Sequence, residues 1–309
     1  MNCIFLDQIT DEMKALLCQE APQDLELIFL SELEEAEQEK KLAEADAFLT
    51  ATYKVDEAFM SKAPKLKIVQ KVGVGTDNID SVAAAKRGIV VGNVPGGNAN
   101  GVAELTIGLI LDLYRKTILL DRRTRAGQWS MWTYRSCSYE IKGKTHGIVG
   151  FGHIGKRVAE LSRAFGTTLL YYNRTRLEPS IEAKYQVKYA SLEEVLQQSD
   201  IVSVHLPLTS GTRDFIAAKE LAQMKPSSVL IHVGRGNVVN EQALYEALRQ
   251  GKIAGAAIDV WASEPVAADN PLLQLDNVVA TPHVGGGTVD AAIEIYRASF
   301  EKIGCLLRS

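Results

Sequence analysis

Three segments in the second half of the chain each close an apolar run on a side chain that can do chemistry. Leu230 to Asn240 carries Arg235, Ala257 to Pro265 carries Glu264, and Ala280 to Gly285 carries His283. A fixed guanidinium can grip a carboxylate and polarise a carbonyl. An imidazole can deliver a proton near neutral pH, and a carboxylate beside it orients the ring. Taken singly, each residue has a plainer explanation: an ion pair for Arg235, a turn cap before Pro265 for Glu264, a loop position for His283. Together they are the set that a reduction of a 2-oxoacid needs.

A redox partner is legible upstream. An apolar run, His146 to Val149, meets Gly150, Gly152 and Gly155 at the spacing G-x-G-x-x-G, and a helix-period segment, Ile154 to Phe165, follows. The first glycine allows a tight strand-to-helix turn, the second lets backbone approach a pyrophosphate, and the third lets helix pack on strand. His153 and Ile154 lie within this loop, at the helix start whose free N–H groups face an anion. The following strand ends at Asn173, where NAD-binding folds commonly place an acid for the adenosine ribose. Asn is neutral, and Arg174, Thr175 and Arg176 follow, so a 2′-phosphate is expected to be held there and NADP to be favoured over NAD. The alternative is that Asn173 serves a ribose while both arginines are solvated.

These residues need a frame of parallel strands. Strands are predicted at Cys3–Leu6, Leu25–Phe29, Ala47–Thr50, Ile68–Lys71 and Val90–Gly92, alternating with amphipathic stretches at Asp11–Glu20, Glu34–Glu44 and Ser81–Arg87. A second series runs Thr145–Val149, Leu169–Tyr172, Ile201–His205, Val229–Val233, Gly255–Val260 and Val278–Ala280. That alternation predicts two α/β domains with doubly wound parallel sheets, whose ligands lie beyond the carboxyl ends of the strands. Between the series, Ala99–Arg115 reads as a long apolar helix lacking a polar face, expected to be buried between domains or against a second subunit. Lys116–Lys142 is less regular and holds Trp129, Trp132, Tyr134 and Arg135, an aromatic-basic cluster expected at a packing surface; Arg135 reaching a substrate is the alternative. Thr288–Leu307 is expected to be helical.

The 309 residues favour two domains, and 46% hydrophobic with 23% charged residues is ordinary for a globular chain. A net charge of −4 with mixed signs gives no reason to invoke nucleic acid, and no apolar run approaches the ~20 residues that span a bilayer. Cys3, Cys18, Cys137 and Cys305 show neither metal nor redox spacing, so reduced thiols, no metal and a cytoplasmic setting are expected. His146 is expected to be buried and hydrogen-bonded. His205, ending a strand beside Pro207, reads either as a structural histidine or as lining the cofactor.

Nearly the whole chain resembles the D-isomer-specific 2-hydroxyacid dehydrogenase family, which includes phosphoglycerate, D-lactate, glyoxylate/hydroxypyruvate, formate and phosphite dehydrogenases. The resemblance rests on Lys71 to Asp80 (KVGVGTDNID), Val102-Ala-Glu104, the glycine fingerprint, Val204 to Thr209 (VHLPLT) and the three reactive segments. It implies a discontinuous substrate domain, 1–98 plus 287–309, a dinucleotide domain, 99–286, and a cleft between them that closes on substrate. It also implies a homodimer with Ala99–Arg115 at the interface. The resemblance gives Arg235 the carboxylate and keto oxygen, His283 the proton, and Glu264 the tuning of His283. It places Asp259 at the nicotinamide amide, and the amides of Val74 and Gly75, with Lys71, at the substrate carboxylate. His205, Leu206, Pro207, Thr212, Val233, Gly234 and Gly285 would line the cofactor. Departures are Asn173 in place of the acid, His232-Val233-Gly234 where Asn-Thr-Ala is frequent, and Val74 where the phosphite enzyme carries lysine. Phosphoglycerate is disfavoured by the missing arginine near Lys71 and by the absence of a regulatory domain after Leu307. The expected reaction is therefore NADPH-dependent reduction of glyoxylate or hydroxypyruvate. Phosphoglycerate dehydrogenase is the alternative within the family, and an NAD(H)-sensing transcriptional corepressor is the alternative outside enzymes.

Overall fold

A computed structural model describes residues 1–308, which divide into two compact units: Met1–Asn98 together with the segment from Thr288 onward, and Ala99–Gly287. The first unit opens with β1 (Asn2–Phe5), α1 (Asp11–Glu20), β2 (Glu26–Phe29), α2 (Glu35–Ala43) and β3 (Ala47–Thr50). It continues with α3 (Glu57–Ser61), β4 (Ile68–Lys71), α4 (Ser81–Lys86) and β5 (Val90–Gly92). Its five strands are all parallel in the order β2-β1-β3-β4-β5, a doubly wound arrangement. Local chemistry starts the helices: Thr10 caps α1 by accepting from Met13 N–H, and Asp80 caps α4 by accepting from Val82 and Ala83 N–H.

The second unit begins with α5 (Ala99–Arg115) and α6 (Thr117–Arg125), then β6 (Thr145–Val149), α7 (His153–Ala164), β7 (Thr168–Tyr172), α8 (Pro179–Tyr185) and β8 (Lys188–Tyr189). After these come α9 (Leu192–Gln198), β9 (Ile201–Val204), α10 (Ala218–Leu221), β10 (Val229–His232), α11 (Glu241–Arg249), β11 (Gly255–Ile258) and β12 (Val278–Ala280). The seven strands are parallel, ordered β12-β11-β10-β9-β6-β7-β8. The order reverses between β6 and β9, which is where an open sheet of this kind leaves a crevice for a ligand. Finally α12 (Val289–Arg308) returns to the first unit, where Tyr296, Phe300 and Ile303 pack with Phe5, Leu17 and Leu49.

Helix α5 finds its burial inside its own unit. Val102, Ile107, Leu109, Ile110 and Tyr114 join Ile201, Val229, Ile231 and Ala257 in one cluster, and Ala103 packs with Ile148, Val158 and Ala159 in another. A helix wedged between α7 and the sheet has contacts on two sides, and that accounts for its missing polar face. Two elements lack the pattern that would mark them. No residue of α6 is buried, so no apolar stripe announces it, and the left-handed Lys116 (φ 54°) separates it from α5. Strand β8 has only two residues, too short for alternation to show.

Candidate active site

Strands β10, β11 and β12 are neighbours, so the loops leaving their carboxyl ends lie side by side, and these loops carry Arg235, Glu264 and His283. The loops are bound to one another. A Cβ at Gly236 would sit 1.8 Å from the Trp261 carbonyl oxygen, so only glycine permits that approach. Asn237 Nδ2 donates to the Ala262 carbonyl at 3.2 Å, and Trp261 Nε1 donates to the Thr281 carbonyl at 3.1 Å. His283 Nδ1 lies 2.8 Å from Glu264 Oε2, while Glu264 Oε1 accepts from Trp261 N–H at 3.0 Å. Bonded to a carboxylate, Nδ1 holds a proton and Nε2 is left for a reacting group. Both side chains of this pair are part-exposed. Arg235 is half-buried, and its Nη1 donates to the Gly234 carbonyl at 3.0 Å among its contacts.

The loop after β6 fits a dinucleotide phosphate. Gly150 has φ +97°, and a Cβ there would come within 3.0 Å of His205 backbone carbon; a Cβ at Gly155 would be 2.3 Å from the Gly150 carbonyl oxygen. At Gly152, the N-cap of α7, a Cβ would meet only open space, and no side chain caps the helix. The first N–H groups of α7, from His153 and Ile154 onward, precede any intrahelical carbonyl and are available to an anion. Across the switch point, Leu206 and Pro207 leave β9. Thr212 Oγ1 donates to the Pro207 carbonyl at 2.6 Å, and a Cβ at Gly234 would be 2.7 Å from the Leu206 carbonyl oxygen. Val233 is buried against α5.

At the end of β7 the arrangement differs from the simplest reading of the sequence. Asn173 Oδ1 accepts from Phe151 N–H at 2.7 Å, so this side chain braces the glycine loop. Arg176 is held bidentately by Glu182, with Nε and Nη2 both at 2.8 Å. Glu182 is brought down to about 2 by Arg176, with Tyr171 Oη as the second donor. Arg174 and Thr175 are exposed, and Arg174 makes no hydrogen bond or ion pair with another described residue.

A buried polar chain crosses this unit. Thr167 Oγ1 donates to the Ser162 carbonyl (3.0 Å), so it accepts from Ser162 Oγ (2.9 Å), which accepts in turn from His146 Nδ1 (2.9 Å). His146 Nε2 then accepts from Ser203 Oγ (2.8 Å), which accepts from His205 Nε2 (2.8 Å). Burial pushes both imidazoles down to about 3, so both are neutral, and this is the one proton assignment that satisfies every contact. His205 therefore carries its proton on Nε2 and a lone pair on Nδ1, which has no partner among the described residues.

In the first unit, Asp7 at the end of β1 accepts from Ala51, Thr52 and Tyr53 N–H and from Thr52 Oγ1. Lys71 Nζ donates to the Ala51 carbonyl and to Asn78 Oδ1, and Asn78 Nδ2 donates to the Tyr53 carbonyl. Lys71, expected at a substrate, thus helps hold the loop at 51–53. Sequence reasoning missed Asp7, although an acid closing an apolar strand was visible. Val74, beside Gly75, has its carbonyl held by Asn93 Nδ2 at 2.7 Å. Among the described residues there is no His/Cys/Asp/Glu group able to hold a metal and no helix long and apolar enough to cross a membrane. A cavity of about 530 Å³ lies at the opposite, amino-terminal ends of β10–β12, lined in part by Asp112, Lys116 and Asn277.

The doubly wound sheet, its glycine turn and the imidazole–carboxylate pair define a dinucleotide-dependent oxidoreductase. Residues 107–285 match the family model described as D-isomer specific 2-hydroxyacid dehydrogenase, NAD binding domain. Glyoxylate reductase of Thermococcus litoralis is 43% identical over 258 residues, covering 82% of this chain and 77% of that protein. D-3-phosphoglycerate dehydrogenase of Archaeoglobus fulgidus is 40% identical over 242 residues, 78% of this chain and 45% of that protein. Among solved structures, NAD-dependent formate dehydrogenase of Staphylococcus aureus in complex with NAD superposes with a TM-score of 0.84 at 29% identity, covering 99% of this chain and 96% of that one. The chain belongs to the D-isomer-specific 2-hydroxyacid dehydrogenase family.

Proposed function

We propose that this enzyme reduces glyoxylate or hydroxypyruvate to the 2-hydroxyacid, with NADPH preferred. The observation that carries the chemistry is the His283–Glu264 pair at 2.8 Å, on loops locked to the one bearing Arg235. When bound, the nicotinamide supplies a hydride to the keto carbon. Arg235 holds the substrate carboxylate and polarises the keto oxygen, and His283 donates the proton that this oxygen takes up. Glu264 keeps Nδ1 protonated and aims Nε2 at the reacting atom. The amides of Val74 and Gly75 are assigned to the substrate carboxylate. The glycine loop, the start of α7, His205, Leu206, Pro207, Thr212, Val233, Gly234 and Gly285 are assigned to the cofactor. Glyoxylate is favoured because relatives at about 40% identity over most of their length bear that activity in their names.

The NADPH preference rests on the missing carboxylate at 173 and the exposed guanidinium of Arg174, with Arg176 drawn away by Glu182. We also assign a homodimer, because Trp129 (83% exposed), Trp132 (69%) and Met131 (57%) leave apolar surface uncovered in a single chain. Initial rates with a panel of 2-oxoacids and both reduced cofactors test the reading. Highest kcat/KM for glyoxylate or hydroxypyruvate with NADPH is expected. Tight cofactor binding without turnover of any 2-oxoacid would overturn it in favour of a sensing role. Sedimentation gives the oligomeric state.

A further inference from the structure

The first unit holds the carboxyl ends of β3 and β4 side by side, since these strands pair with Thr50 opposite Lys71. In an open parallel sheet the loops leaving those ends lie on the ligand side. Their backbone donors are arranged in opposite ways. After β4, the Gly73 carbonyl accepts from Val94 N–H at 2.8 Å and the Val74 carbonyl from Asn93 Nδ2 at 2.7 Å. The N–H groups of Val74 and Gly75 meet no acceptor among the described residues, which leaves them open to a carboxylate.

After β3 every backbone donor is taken. Asp7 lies just beyond β1, the strand that pairs with β3 on its other side, and is 6% exposed. Its Oδ2 accepts from Ala51 N–H at 2.6 Å. Its Oδ1 accepts from Thr52 N–H (2.5 Å), Thr52 Oγ1 (2.6 Å) and Tyr53 N–H (2.8 Å). The carbonyls are tied as well, because Lys71 Nζ donates to Ala51 and Asn78 Nδ2 donates to Tyr53 at 2.6 Å. Thr52 and Tyr53 remain exposed, with the Tyr53 ring resting on Phe59 at a centroid distance of 5.0 Å. The cations close in sequence are engaged: Lys71 within this network and Lys54 with Asp56 at 3.5 Å.

We propose that Asp7 is a specificity-determining positioning residue: by drawing in the N–H groups of 51–53, it lets this unit hold one anionic end of a substrate and refuse a second. The proposal rests on the reading of the chain as a 2-oxoacid reductase with the substrate carboxylate at Val74 and Gly75. An uncharged far end, such as the aldehyde hydrogen of glyoxylate or the hydroxymethyl group of hydroxypyruvate, needs no donor and can lie against the loop. A second carboxylate or a phosphate would lose hydration to a loop that returns no hydrogen bond and has the Asp7 carboxylate behind it.

Asp7→Asn is the direct test, because it keeps the shape and sets an NH₂ donor against an N–H on one side of the loop. In the parent, kcat/KM for hydroxypyruvate should exceed that for oxaloacetate, which carries a second carboxylate, by about 10²-fold. In the variant, KM for hydroxypyruvate should rise about tenfold with kcat within about twofold, since the loop binds substrate without touching the reacting atoms. The preference over oxaloacetate should shrink about tenfold, and dinucleotide affinity by calorimetry should stay as in the parent. Amide exchange at Ala51, Thr52 and Tyr53 in the ligand-free protein should quicken by about 10²-fold. Thr52→Val, which removes one of the four bonds, should give a smaller shift of the same kind, and Thr52→Ser should restore the parent behaviour. These two variants decide the question if thermal melts show that Asp7→Asn does not fold.

A parent that reduces oxaloacetate as well as hydroxypyruvate would overturn the proposal. So would an unchanged preference in folded Asp7→Asn or Thr52→Val, or an equal fall in kcat for every 2-oxoacid with KM unchanged. Those last two patterns belong to a residue that only supports the end of β1. Failure of the parent to reduce any 2-oxoacid would sink the functional reading and the specificity with it, while exchange at 51–53 still reports whether Asp7 holds the loop.

Discussion

Three imidazoles held in the dinucleotide unit make its stability sensitive to mild acid. His146 is fully buried and His232 is 3% exposed. Burial lowers His146 and His205 from 6.5 to about 3 and His232 to about 4, outweighing the opposing Arg235 backbone at His232. In the unfolded chain each ring takes a proton near its ordinary value, whereas in the folded protein none does until the pH is far lower. Unfolding therefore binds one extra proton per ring below pH ~6.5, and stability falls as pH falls. Between pH ~6.5 and ~5, before carboxylates protonate, each ring lowers the unfolding free energy by about 2 kcal/mol, and the three together by about 6 kcal/mol. Against a typical total of about 5–15 kcal/mol, that is a large loss. Urea melts at several pH values across this window measure it. His232→Leu gives the sharper check: apart from the Arg235 backbone, neither ring nitrogen of His232 has a hydrogen-bond partner among the described residues, so leucine forfeits little. The variant should be about as stable as the parent near pH 7 and lose about a third of the acid slope. An acid slope equal to that of the parent would refute the reasoning.

Other outcomes follow from single contacts. Arg174→Ala should lower kcat/KM for NADPH by about tenfold with little change for NADH, and Glu182→Gln should raise the NADPH preference by releasing Arg176; steady-state kinetics with both cofactors decide. Gly155→Ala puts a methyl 2.3 Å from the Gly150 carbonyl oxygen. It should cost about 1–3 kcal/mol in thermal or urea melts and weaken dinucleotide binding measured by calorimetry. Nitrogen-15 spectra of the ligand-free protein should show His205 protonated on Nε2 and bare on Nδ1, and a protonated Nδ1 would break the proton assignment drawn from Thr167. His283→Ala should reduce turnover by ~10²–10⁴-fold while leaving dinucleotide affinity in place.

What the linear chain discloses is whatever is local or repeats with a period. Alternating apolar runs and amphipathic stretches mark eleven of the strands and most longer helices within a residue or two, because strand and helix burial leave different periods. The glycine spacing at 150–155 discloses the phosphate turn, since each glycine answers a steric demand made within a few residues. Arg235, Glu264 and His283 are visible as reactive residues ending apolar runs. Elements without an apolar stripe, such as α6, or too short for alternation, such as β8, leave no such trace.

Partnership, by contrast, belongs to the fold alone. Nothing in the spacing of Asp259 and Thr281 says that the carboxylate accepts from that hydroxyl, because the bond joins strands that only the sheet order makes adjacent. Likewise Arg176 reads as a free cation until α8 brings Glu182 against it, and Asn173 reads as a ribose ligand until β6 and β7 pair and its amide oxygen meets Phe151 N–H. The types of residue and their local turns are determined by the sequence itself. Which donor each acceptor meets is decided in the tertiary structure, where burial drives most polar groups to find a partner from whatever element lies nearest.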